Sequence, residues 1–188
     1  MQILDAVNYC LRYIGEMPVP SDADIDSLDE LHEAVVAKNI INEVSKELQY
    51  KGWWFNTESW EFAPQEDKTI IIPEEVLEIK STSYIARGTR LYDLANRTQE
   101  FTDTITTNAI FLVPFDELPY VFQMYVIFNT AQRLNILYTA EDTIAKDLAS
   151  RIQIQAIEVE RADMSRKNIN LITGSKLYDR TTNPQSGV

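Results

Sequence analysis

The hydrophobic period of this chain changes twice, and that change limits what it can fold into. Up to Gly52 the apolar residues recur at three- and four-residue spacing, as on a helix. After Gly52 the spacing becomes two, as in strands, and near Glu117 the helical period returns. Neither helical half can bury its apolar stripe alone, so the two must pack on each other across the strand region. The resulting reading is an α+β fold. It is an antiparallel bundle of about four helices, with an all-β module inserted between helices 2 and 3 and an extended C-terminal arm. The expected divisions are residues 1–52, 53–115, 116–168 and 169–188.

The local signals are specific. Ile3, Val7, Cys10 and Ile14 form one stripe, with Gly15 as a stop and Pro18 and Pro20 beyond it. Cys10 lies on that stripe and reads as a small core residue, not a reactive thiol. Ser27 and Glu30 form a capping-box pattern, which opens a helix carrying Leu28, Leu31, Val35, Ile41, Val44 and Leu48. Trp54 to Phe62, Thr69 to Ile72, Val76 to Ser81, Tyr84 to Leu94 and Ile105 to Val113 read as short strands, with a turn at Gly88. Residues 120–138 are apolar almost all round, which predicts a helix buried in the protein or at an interface. Ile144, Leu148, Ile152, Ala156 and Val159 predict a last amphipathic helix running to about Asn168. The final twenty residues have no period and read as an arm.

All three tryptophans fall within the stretch YKGWWFNTESW, residues 50–60. A base-stacking platform wants exposed aromatics among basic residues, and here Lys51 alone is basic. The stretch therefore reads as a joint, with Gly52 closing a helix and the aromatics opening the first strand. Gly52, Trp53, Trp54, Phe55 and Trp60 are its candidate residues. Strand alternation puts Trp54 on a face with Trp60 and Phe62 if no bulge intervenes, and Trp53 and Phe55 on the other.

Chemistry is harder to find. The formal net charge of −12 opposes binding to polyphosphate through a basic surface. One cysteine allows no intrachain disulfide, and the single histidine, His32, reads as a surface helix residue. With five glycines and no phosphate-loop or nucleophile-elbow motif, no catalytic residue, cofactor or metal site is expected. The Asp22-Ala-Asp24-Ile-Asp26 run lacks the glycine and terminal glutamate of a calcium loop. The N-terminus does not read as a signal peptide, and no run is long and apolar enough to span a membrane. Tyr84, Arg87, Arg90 and Tyr92 form a local basic-aromatic patch, read as a strand-pair face that meets an acidic surface, such as that of a neighbouring copy.

Four stretches, in order, resemble the tail tubular protein A family of short-tailed bacteriophages. They are AVNYCLRYIGEMPV (residues 6–19), KGWWFN (51–56), RLYDLANRTQEF (90–101) and DELPYVFQMYVIFNTAQRL (116–134). Each alone is a weak signal; their order and spacing carry the resemblance, which fades after about Asn168. The resemblance implies a structural virion protein without enzymatic activity or cofactor, made in the host cytoplasm. Such a head-to-tail adaptor forms a dodecameric ring between the portal protein and a tail nozzle similar to tail tubular protein B. Genome DNA passes through its lumen without specific binding. Arg87, Arg90, Tyr92 and, in the arm, Tyr178 and Arg180 are the candidate contacts to a neighbouring copy or the portal. Two alternatives stand beside this reading: another phage neck or head-completion connector, and an enzyme with an unrecognised site.

Overall fold

A computed structural model describes residues 1–20, 25, 28, 29 and 32–166. The fold is α+β. Helices α1 (Ile3–Leu11) and α2 (Glu33–Gln49) precede all the strands. Five strands follow: β1 (Thr57–Phe62), β2 (Val76–Lys80), β3 (Tyr84–Arg87), β4 (Arg90–Asp93) and β5 (Ile105–Phe111). Helices α3 (Tyr120–Leu134) and α4 (Asp142–Arg166) complete the described chain. Among the described residues, no helix is long and apolar enough to cross a membrane.

Helix α3 is central and packs against α1, α2 and α4. Its inward side chains, Phe122, Val126, Ile127 and Leu134, are fully buried with Val7, Leu11 and Ile41. Burial of each such side chain contributes about 1.5–3 kcal/mol. Cys10 sits at this seam, where its Sγ lies 3.7 Å from the Ile127 carbonyl oxygen. Burial pushes its thiol well above the ordinary value of 9.0.

The strands form an antiparallel three-stranded sheet in the order β1–β5–β2, and a separate hairpin, β3–β4, whose first strand lies against β2. β1 is thus an edge strand whose ladder partner is β5, with Thr57 opposite Ile110 and Phe62 opposite Ile105. A second core lies under the strands, built from Phe62, Ile70, Ile72, Ile79, Leu91 and Phe101.

Several sequence expectations are corrected. The second helix begins at Glu33, not near Ser27. His32 is exposed, as expected, but caps the helix instead of lying within it, with the ring Nδ1 accepting from the Ala34 N–H at 3.1 Å. Ser27, Glu30 and the aspartates at 22, 24 and 26 lie outside the described residues. Residues 54–56 form a turn and the strand starts at Thr57, because a side chain closes the backbone there, as described below. Thr69 to Ile72 is not a strand but two isolated bridges, Thr69 to Glu100 and Ile71 to Arg90. Asp67 draws this segment into a turn by accepting from the Thr69 N–H and hydroxyl at 2.9 and 2.7 Å.

The apolar run at 120–138 begins at an exposed Tyr120, and its buried side chains lie between Phe122 and Asn135. A π-helical turn, Asn135–Thr139, then redirects the chain, and Ile136, Leu137 and Tyr138 are exposed on this chain. Asn135 causes the turn by accepting from Thr139 Oγ1 and the Ala140 and Glu141 N–H groups.

A thiol-specific reagent at neutral pH should react with Cys10 at the rate of unfolding and not faster. Because burial raises the thiol, the unfolded chain ionises first, so stability should fall as pH rises above 9.0. That fall, read from urea midpoints, should be smaller in Cys10→Val; superimposable pH curves would contradict a thiol held neutral.

Candidate functional site: the helix-to-strand joint and the arginine hairpin

Two places gather the side chains that the sequence singles out. The first is the end of α2. There the chain must leave a helix, turn and enter a sheet, which strands main-chain groups without regular partners. Gly52 takes a left-handed conformation, φ +80°, to make the reversal. A Cβ on it would stand 2.7 Å from Ile110 Cδ1, so the position is closed to side chains by both backbone and space.

Two buried carboxamides satisfy main-chain groups at the joint, while the buried Thr57 Oγ1 has no hydrogen-bond partner among the described residues. Asn56 is fully buried. Its Oδ1 accepts from the Trp53 N–H at 2.8 Å, closing the turn. Its Nδ2 donates to the carbonyls of Gln49, at the end of α2, and Phe111, at the end of β5, at 3.1 and 3.0 Å. Its own carbonyl accepts from the Phe111 N–H at 2.8 Å. Gln49, also fully buried, pairs with the main chain of Val113 in both directions: Nε2 donates to the carbonyl at 2.9 Å, and Oε1 accepts from the N–H at 2.8 Å. Helix, turn and sheet are thereby fastened at one point. Leaving any of these buried groups unpaired costs about 1–3 kcal/mol.

The aromatics pack around that point. Trp53 is buried, donates from Nε1 to the Leu48 carbonyl at 2.8 Å, and meets Phe122 of α3 edge to face at 5.6 Å between ring centroids. Phe55 also meets Phe122, at 4.9 Å, and Trp54 meets Phe55 at 5.1 Å. Helix α4 reaches the same place: Asp163 accepts from the Trp54 N–H at 2.8 Å, and Glu160 pairs with Lys51 at 3.0 Å. The structure thus brings Gly52, Trp53, Trp54 and Phe55 together. It does not bring Trp60, which lies out on β1, 43% exposed, against Phe111.

The second place is the β3–β4 hairpin. Arg87 faces Arg90 across the hairpin and Ile85 faces Tyr92, so all four share one side. Leu91, on the other side, is buried in the strand core. The Arg87 guanidinium lies 3.4 Å from the centre of the Tyr92 ring, a cation–π contact that holds it in place. Arg97, in a left-handed turn at φ +54°, joins them around an open cleft of about 490 Å³. Asp67 and Glu100 also line it. Hydrogen bonds from Thr69 hold the Asp67 carboxyl below its ordinary range, with nearby Arg90 adding to the effect. Among the described residues, none of the three arginines forms an ion pair. Tyr178 and Arg180 lie outside the described residues.

Gln49 and Asn56 are not among the sequence-derived candidates. A signal for Asn56 was present, since it ends the KGWWFN stretch, but the aromatics drew the reading.

Comparison with known proteins completes the picture. A family model described as tail tubular protein matches residues 4–172. The chain belongs to the tail tubular protein family. It is also similar to tail tubular protein A of Klebsiella phage KP34, at 29% identity over 137 residues, covering 70% of this chain and 71% of that protein. Membership makes it a structural component of a bacteriophage tail, placed in the virion. The joint and the arginine hairpin are accordingly read as parts of a structural protein.

Asn56→Ala should destabilise the protein by about 2–4 kcal/mol, since two carbonyls and one N–H lose their partner in a buried site. Trp60→Ala, which removes a far larger but half-exposed side chain, should cost less than about 1.5 kcal/mol. Chemical denaturation ranks the two; the reverse order would contradict the polar joint.

Proposed function

We propose that the protein is a head-to-tail adaptor. Copies of it form a ring, dodecameric as the family resemblance implies, between the portal protein and a tail nozzle similar to tail tubular protein B. The ring encloses the channel through which DNA leaves. The observation that carries this reading is the family match over residues 4–172, which spans both helical portions and every strand. The relative in phage KP34, itself named tail tubular protein A, supports the same reading.

The physical parts suit a ring subunit. The four helices act as one bundle and the strands as a module inserted in it, with the joint at Gly52, Trp53, Trp54 and Phe55 setting the angle between them. Trp60 lies outside the joint proper. A subunit must hold that angle against its neighbours, and a buried joint whose main-chain groups are paired by Asn56 and Gln49 is rigid. The surface also carries apolar groups that a lone chain leaves in water: Ile154, Ile157 and Met164 on α4, and Ile136 and Leu137 at the turn before it. Such groups, clustered, mark contact surfaces. Arg87, Arg90, Tyr92, Tyr178 and Arg180 are the proposed contacts to a neighbouring copy or the portal. The net charge of −12 would let DNA pass without sticking.

Electron microscopy of the protein mixed with its cognate portal should show a ring stacked on the portal. A ring seated against a different neck component would favour the other connector reading, and absence of any complex with the portal would contradict the proposal. Truncation after Asn168 should leave the fold intact, by circular dichroism, and impair particle assembly. Particles that assemble normally without the arm would remove it from the contact set.

A further inference from the structure

We infer that the arginine hairpin of one copy docks on the β1 edge of the next, a contact that rests on the oligomeric reading above and names its two surfaces. The hairpin presents Arg87, Arg90 and Arg97 around one cleft without an ion pair among the described residues, on a chain whose formal net charge is −12. Asp67 and Glu100 line the same cleft, but the three guanidinium groups outnumber them, and a carboxylate received in fork geometry from a neighbour offsets the excess. Arg87 is already ordered by its stack on Tyr92, so little side-chain freedom is lost when a carboxylate arrives.

The complementary surface lies on the other side of the strand region. The hairpin lies against β2, one edge of the sheet, and β1 is the opposite edge. Glu58, Trp60 and Glu61 on β1 are exposed, and neither glutamate forms an ion pair among the described residues. Glu58 and Trp60 share one face of β1 and Glu61 lies on the other, so the edge offers a tryptophan beside one carboxylate and a second carboxylate across the strand. This suits arginine on both counts, since the ring face attracts a guanidinium and the carboxylates accept its hydrogen bonds.

The symmetry follows from where the two surfaces lie. The hairpin and β1 lie at opposite edges of the strand region, so one face of a copy does not present both; the pairing is therefore head-to-tail, with unlike faces meeting. A head-to-tail contact repeats from copy to copy, and forms a ring where the rotation closes. The same charge balance favours carboxylate over nucleic-acid phosphate as the occupant, because a polyanion is repelled by the rest of the chain.

The test uses two variants of the full chain, R87E/R90E and E58R/E61R, all at exposed positions, with circular dichroism and thermal midpoints confirming the fold. Self-association is read by sedimentation velocity at low ionic strength. The wild type should self-associate, and each variant alone should do so at least roughly tenfold more weakly. The two variants mixed should associate again, since each reversed face then finds its complement. Trp60→Ala should weaken wild-type association in the same assay. Unchanged association of R87E/R90E would overturn the pairing and leave the ring reading standing. A wild type that stays monomeric in this assay would also overturn it, because the contact needs only copies of this chain; the portal complex would still decide the adaptor reading. Duplex DNA binding, by fluorescence anisotropy, that R87E/R90E abolishes would overturn it in favour of phosphate.

Discussion

Where α2 ends and β5 ends, main-chain carbonyls and N–H groups meet in a dry interior without helix or ladder partners. The Asn56 and Gln49 side chains supply those partners. A carboxamide offers the same donor and acceptor as a peptide unit, carries no charge and costs little to bury when both ends are paired. The rest of the fold depends on these bonds. They fix the turn that places Trp53 and Phe55 against Phe122, and they set where the sheet leaves the helices.

The same device recurs. Asn8 pairs with both main-chain groups of Val19, at 2.9 and 2.7 Å, and so holds the chain after the first helix. Gln123 of α3 donates to the Phe115 carbonyl at 2.8 Å, and Gln155 of α4 to the Val121 carbonyl at 3.0 Å. Asn135 shapes the turn between α3 and α4. An acidic chain gains from building its buried links with neutral groups, since a buried carboxylate would add a desolvation cost to existing repulsion.

This pattern explains what could be read in the sequence. The order of helices and strands, the Gly88 hairpin and the apolar stripes follow from hydrophobic period, and period counts apolar residues. Gln49 and Asn56 are polar, so period assigns them to the surface, although both are fully buried. The start of α2, the turn at residues 54–56 and the break after Leu134 escape the period for a related reason. Each is set by a side chain bonded to main chain: His32, Asn56 and Asn135. The tryptophans show the limit from the other side. Trp53 and Trp60 are the same residue type seven positions apart, yet one is buried against α3 and the other is 43% exposed at a sheet edge. The arginines of the hairpin were legible as a patch; their shared side and the cleft they line needed the strand register.

The central claim is that the joint makes helices and strands one mechanical body, as the proposed adaptor role would require. Native-state hydrogen exchange tests it most directly, residue by residue. The account predicts that the amides of Trp53, Phe111 and Val113 exchange with the slowest class, together with those of the buried stretch of α3, because opening them requires global unfolding. Strand amides that exchange at a clearly lower opening free energy while α3 stays protected would contradict it. The helices and the sheet would then be separate units joined by a hinge.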